Sequence, residues 1–189
     1  MLIEQHLEEL IMKKYRRVIR TVLLALVLAF VFRSYLFASY IVDGESMQPT
    51  LDDGNLLMVN KAVYDWQEIG RQQVIVFHAN EEEDYVKRVI GISGDEIFMK
   101  NDQLYINGER VDESYLDPLR PDDGLPFTKD FTLEELTGHK EVPVGHLFVM
   151  GDNRRESLDS RSFGFVPIES VVGKVDVRYW PVDRLGVEF

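Results

Sequence analysis

From Thr21 to Val42 the chain reads TVLLALVLAFVFRSYLFASYIV, 22 residues with a single charge, Arg33. Such a segment constrains everything around it, because a bilayer-spanning helix takes about 20 mostly apolar residues. Its uninterrupted part, Thr21–Phe32, has only 12 residues, a length that by itself also suits a signal-peptide core or a buried helix. Two features favour a retained anchor. The nearest small-x-small sequence, FASY, makes a poor cleavage site with no obvious mature start after it. Arg33 lies far enough along to snorkel toward the far interface, with Tyr35 and Tyr40 as interfacial aromatics. Five basic residues (Lys13, Lys14, Arg16, Arg17 and Arg20) precede the span, so the positive-inside rule puts the N-terminus in the cytoplasm. No later run is long enough for a second span. The expected organisation is a cytoplasmic segment 1–20, a transmembrane helix 21–39 and an extracytoplasmic domain 40–189 of a single-pass cell-membrane protein. The competing arrangement is a soluble protein with a buried helix, which the charge of Arg33 keeps open.

The 189 residues amount to about one domain beyond the span. There are no cysteines, which excludes a disulfide scaffold, a thiolate metal site and a cysteine nucleophile. Net charge is -12, and from Ser34 onward fifteen basic residues face thirty acidic ones. A body this acidic is a poor polyanion binder, so nucleic acid is not an expected partner.

Past residue 40, short β-branched and aromatic runs alternate with turn signals. Strands are expected at 56–60, 74–78, 85–91, 96–100, 103–107, 147–151 and 171–180. KNDQ and NGER mark turns between them. TLEELTG is the one helix-like piece, with Thr132 as cap and Gly138 as stop. Residues 112–143 are acidic, proline-bearing and irregular, and read as an excursion from the core rather than a separate domain. The fold class is mainly β, an all-β catalytic domain behind one N-terminal transmembrane helix.

The chemistry begins with DGESMQPTL, residues 43–51, where the apolar segment stops. Ser46 there is a candidate nucleophile that needs a base, although a serine in such a sequence is more often a plain turn residue. A second anomaly lies in DYVKRVIGISGDEI, residues 84–97. In a strand over 85–90, Tyr85, Lys87 and Val89 share one face and Val86, Arg88 and Ile90 the other. Two adjacent cations on such apolar faces must be paired or neutralised. Arginine stays charged and requires a carboxylate. Lysine can shed its proton, since burial lowers its pKa by up to about 3–5 units, and a neutral lysine is a general base. The plain alternative is an edge-strand lysine in water.

Three segments together carry more weight than either residue alone. GESMQPTL with Ser46, YVKRVIGISGDEI with Lys87, and VMGDNRRESLDSRSFGFVP, residues 149–167, resemble the boxes of the bacterial type I signal peptidases. They stand in the family's order behind a single N-terminal span, and the similarity is greatest to the short, single-anchor Gram-positive form. GNLLMVNK and VIVFHA fit as well. The resemblance implies a membrane-bound serine endopeptidase that cuts signal peptides from secreted preproteins after A-x-A-like small residues, using a Ser/Lys dyad and no metal or other cofactor. Carried over by position, Ser46 is the nucleophile and Lys87 the general base. Ser157 matches a serine that orients the lysine. Asp152, Arg154, Asp159 and Arg161 match a polar group shaping the site, and Arg88 is expected to pair with one of its acids, Asp159 first. Val42, Gly44, Met47, Tyr85 and Val86 are the expected substrate-binding residues, on strands near 42–44 and 84–86. Met47 either dips into lipid or packs in the core, the commoner fate of a lone methionine.

Two positions depart from the family pattern. Some relatives carry a hydroxyl two residues before the nucleophile as part of the oxyanion hole, where this chain has Gly44. RQQ precedes residue 74 where relatives often show Gly-Asp, which puts that turn in question. The four histidines stand outside the family motif and read as surface or packing residues, with His6 on the cytoplasmic side. No H-E-x-x-H occurs, and Pro49 takes the lysine's place in a Ser-x-x-Lys motif. Competing readings are a self-cleaving or regulatory Ser/Lys protease, which has no need of an anchor, a mitochondrial inner-membrane relative, and a non-cutting peptide-binding adaptor, which has no need of Ser46 or Lys87.

Overall fold

The computed structural model describes residues 2–187; the side chains of residues 2–11 and 34 are outside that description. His6 and the acids Glu4, Glu8 and Glu9 therefore fall outside the described side chains. The chain forms two compact units, residues 1–37 and 38–189.

The first unit is a single helix, α1 (Leu2–Leu36). Its apolar run is not covered by protein: Val22, Leu23, Leu24, Leu26, Val27, Leu28, Phe30, Val31 and Phe32 are each more than half exposed. Among the described residues, no helix is long and apolar enough to cross a membrane. The 12 residues of Thr21–Phe32 lie between Arg20 and Arg33, and at 1.5 Å per residue they reach only about 18 Å of a hydrocarbon core about 30 Å thick.

The second unit is mainly β. Its strands are β1 (Phe37–Ile41), β2 (Leu56–Asn60), β3 (Val74–His78), β4 (Asp84–Gly91), β5 (Ile97–Lys100) and β6 (Gln103–Ile106), then β7 (Glu109–Arg110), β8 (Phe131–Thr132), β9 (His146–Met150), β10 (Val166–Pro167) and β11 (Val171–Trp180). Seven form a sheet in the order β1-β2-β11-β3-β4-β9-β10, and four form a smaller one, β7-β6-β5-β8. Two short helices interrupt them, α2 (Leu133–Thr137) and α3 (Ser160–Phe163).

The central position of β3 explains its composition. Val74 and Val76 enter a cluster with Val42, Met47, Leu51, Leu57 and Val59. Ile75 and Phe77 enter another on the opposite face with Val89, Leu147 and Val149. A strand buried on both faces needs an unbroken apolar run rather than alternation, and VIVF supplies it. A third cluster joins the two sheets through Ile90, Ile97, Leu104, Phe131, Leu133 and Phe148. Phe131, Leu133 and Val142 of that cluster come from the irregular stretch 112–143, which is therefore built into the smaller sheet's core.

The turn before β3 closes without Gly-Asp. Gln72 takes a left-handed φ of 67°, and Arg71 grips Asp95 through Nε at 2.6 Å and Nη2 at 2.5 Å. Helix α2 has the expected ends: Thr132 accepts from the Glu135 N–H, Glu135 returns a bond to the Thr132 N–H, and Gly138 closes it at φ 77°.

Candidate active site

Ser46 and Lys87 meet. The lysine Nζ donates to Ser46 Oγ at 2.8 Å. Lys87 comes from β4, paired with Ile75 of β3, and the residue is 5 % exposed. It is therefore not a solvated edge lysine. Burial is the largest influence on it and brings its pKa down to about 8, against the opposing pull of the Asp159 and Asp152 carboxylates. Its ammonium position lies 5.3 Å from the Tyr85 ring centroid, as the shared face of Tyr85 and Lys87 requires.

The loop carrying Ser46 is held from below by the segment after β9. The Asn153 N–H donates to the Ser46 carbonyl at 3.0 Å, and Asn153 Nδ2 donates to the Glu45 carbonyl at 3.2 Å. Gly151 makes the approach possible. A Cβ there would stand 2.1 Å from Ser157 Oγ and 2.4 Å from the Ser46 carbonyl oxygen, closer than any side chain tolerates. Ser157 thus lies against the floor of the site. Its Oγ is buried without a well-formed hydrogen-bond partner, so the expected bond to Lys87 is not made; its polar influence falls on Asp159, which it helps to hold ionised.

The expected pairing of Arg88 with Asp159 is corrected. Arg88 pairs with Asp152, through Nε to Oδ1 at 2.8 Å and Nη2 to Oδ2 at 2.7 Å. The reason is register. Arg88 lies opposite Met150 in the β4–β9 ladder, two residues from Asp152, and its side chain leaves the face away from Lys87. Thr50 Oγ1 donates to Asp152 Oδ2 at 2.5 Å, Arg88 Nη1 donates to the Gln72 carbonyl at 2.7 Å, and the Tyr115 ring lies 4.1 Å from the guanidinium carbon. Asp159 instead takes Arg161, at 2.8 Å from Nε and 2.7 Å from Nη2, and accepts from the Gly151 N–H at 3.0 Å. Burial alone would raise the Asp159 pKa; Arg161 and that N–H outweigh it and hold the carboxyl below its usual range. Arg154, also buried, donates through Nε to the Gly151 carbonyl at 3.0 Å and through Nη2 to Glu113 at 2.5 Å. A buried charge left alone costs several kcal/mol, and every one of these has found its opposite.

A groove of about 320 Å³ opens over the dyad, lined among others by Val42, Gly44, Met47, Tyr85 and Val86. All five expected substrate-binding residues therefore gather beside Ser46. Met47 is packed in the core at 1 % exposure. Gly44 has φ 89°, and its N–H donates to Asp53 Oδ1 at 2.8 Å, so it supplies no donor to the groove. The described histidine rings bond elsewhere: His78 to Asp84 at 2.5 Å, His139 to the Thr137 carbonyl and His146 to the Val144 carbonyl.

The sequence reading does not single out Asn153, Thr50, Glu113 or Tyr115. The first two lie inside the motifs quoted above, where a signal existed. Glu113 and Tyr115 come from the irregular stretch, and nothing local marks them as partners of Arg154 and Arg88.

Residues 15–180 match the family described as signal peptidase, peptidase S26. The chain is 57% identical over 159 residues to a signal peptidase I of Bacillus caldolyticus, covering 83% of this chain and 87% of the relative. It is 40% identical over 174 residues to a signal peptidase IB of Staphylococcus aureus (strain MRSA252), covering 89% and 91%. A crystal structure of a signal peptidase I from Enterococcus faecalis V583 superposes with TM-score 0.54 at 39% identity, over 58% of this chain and 97% of that one. This chain belongs to peptidase family S26, the signal peptidases, and is a serine endopeptidase.

Proposed function

We propose that the protein removes signal peptides from secreted preproteins by a Ser46/Lys87 mechanism. The observation that carries the proposal is the 2.8 Å contact between the Ser46 hydroxyl and an amine whose pKa burial brings to about 8. The substrate lies extended in the groove and adds to the edge of β4. Small residues at the first and third positions before the cut face Val42, Met47 and Val86, and larger ones are rejected by clash. Neutral Lys87 takes the Ser46 proton as Oγ bonds to the scissile carbonyl carbon. The Ser46 N–H holds the oxyanion, in place of the side-chain donor that Gly44 lacks. Protonated Lys87 then gives its proton to the leaving nitrogen as the C–N bond breaks. A water, deprotonated by Lys87, opens the acyl-enzyme, and the amine returns its proton to Ser46. Arg88–Asp152 and Arg161–Asp159 keep the floor of the site rigid, and Ser157 packs into that floor against Gly151.

The site works at a membrane surface on this reading, with residues 1–20 cytoplasmic and the catalytic unit outside. Support comes from the uncovered apolar face of α1, a patch too large for a free soluble surface. A short apolar run is accommodated by local bilayer thinning and by Arg33 snorkelling. Nine residues, 37–45, separate Leu36 from Ser46, and the ten Cα steps between them extend at most about 33–36 Å, so the nucleophile stays near the interface where signal peptides emerge.

The test is cleavage of an A-x-A precursor by the detergent-solubilised protein. Ser46→Ala and Lys87→Ala are expected to fold and to lose at least about 10³-fold in kcat/KM. A fully active Lys87→Ala protein would refute the dyad.

A further inference from the structure

A second cavity adjoins the groove over the dyad. It holds about 300 Å³ and is walled largely by Phe77, Tyr85, Phe163, Phe165 and Leu158. Tyr85 and Leu158 line both spaces, so the two share that rim. The Phe77 and Tyr85 rings meet edge to face at 6.1 Å, and Phe163 stands 6.4 Å from each. Leu158 is 55% exposed and Phe163 41% exposed. Large apolar side chains held open beside a peptide groove are what a recognition pocket offers.

Strand geometry selects the substrate side chain that reaches it. Residues 84–88 of β4 pair with β3 on one side, whereas β9 pairs on the other side only from Arg88 onward. The outer edge of residues 84–87 can therefore receive an extended peptide. Successive side chains of such a strand point to opposite faces. Val86 packs with the Val42 and Met47 cluster, the face assigned above to the two small residues. Tyr85 packs on the other face with Phe77 and Ile75. The residue between the small ones points to that second face, where the cavity lies.

We propose that the cavity behind Tyr85 and Leu158 is a second specificity subsite, taking a large apolar or aromatic side chain from the substrate residue between the two small ones. The inference rests on the reading of the groove as the peptide site. It adds to that reading a positive preference, complementary to the exclusion of bulk on the Val86 face.

The test uses the full chain in detergent and precursors that differ only at x in A-x-A, with x as Ser, Asp, Leu or Phe. Wild type is expected to cleave the Leu and Phe precursors about tenfold better in kcat/KM than the Ser precursor. Phe163→Ser opens the pocket, and Ala79→Phe fills it from an exposed position on its wall. Each is expected to bring the Leu/Ser ratio to within about twofold of one; the ratio, not the absolute rate, is the readout. An equal rate for all four precursors in wild type, or a ratio unchanged in both variants, overturns the subsite while leaving the Ser/Lys reading standing. Failure of wild type on every precursor overturns the reading of the groove itself, and the subsite with it.

Discussion

Lys87 sits between opposing influences, and burial wins. Its pKa falls from 10.5 to about 8 even though Asp159 and Asp152 pull it upward. The consequence for stability has a definite sign. Between about pH 8 and 10.5 the unfolded chain holds this proton while the folded protein does not, so stability rises with pH across that window. Below about pH 8 the buried amine costs the folded state about 3 kcal/mol relative to an unshifted lysine. Methionine has a similar shape and no charge. Lys87→Met is therefore expected to be more stable than wild type near pH 6.5 by about 1–3 kcal/mol, with the gap closing above pH 10, as read by urea unfolding of the detergent-solubilised protein. A variant less stable than wild type near pH 6.5 would contradict this. Lys87 was legible in the sequence only through company: an amine in an apolar strand leaves a solvated edge open, and the motif segments around Ser46, Lys87 and Ser157 together point to the base. The partner of Arg88 was not: Asp152 and Asp159 are equally plausible along the chain, and only the Arg88–Met150 register decides between them.

At the scale of elements, the joint after β9 governs the site. Gly151 lets three groups meet: the Ser46 carbonyl and Ser157 occupy the space a Cβ would take, and the Gly151 N–H donates to the Asp159 carboxylate. Gly151→Ala places a methyl where backbone oxygen already stands. It is expected to displace the Ser46 loop by about 1 Å and lower kcat/KM by about 10²-fold, with a stability loss of about 1–3 kcal/mol. Kinetics of the variant beside its thermal unfolding check both; wild-type turnover would mean the loop is not held as described. The longer strands were readable because each carries several β-branched or aromatic residues between turn signals. Strands β7, β8 and β10 have two residues each, too few to show any period, and exist because a neighbour is there to pair with. β1 escaped notice because FASYI continues an apolar run, and apolarity alone does not separate the last turn of a helix from the first residues of a strand.

For the whole molecule, the two units make separable demands. The β unit has its own three apolar clusters, all from residue 40 onward, whereas α1 leaves its apolar face bare. A chain starting at Ala38 is expected to fold and to cut a soluble A-x-A peptide, while no longer co-sedimenting with anionic phospholipid vesicles that retain the full chain. Equal sedimentation of both chains would contradict the proposed anchoring role of α1. What the sequence could not convey at this scale was the role of residues 112–143, whose Glu113 and Tyr115 buttress Arg154 and Arg88 across about 40 and 27 residues of chain. The chemistry of the whole molecule turns on the proton of Lys87, a residue only 5% exposed. The most direct test is an NMR titration of the 15N-labelled Lys87 side-chain amine in the full, detergent-solubilised protein, assigned by comparison with Lys87→Met. A midpoint near pH 8 is predicted; a midpoint near 10.5, the value of a lysine in water, would contradict the account.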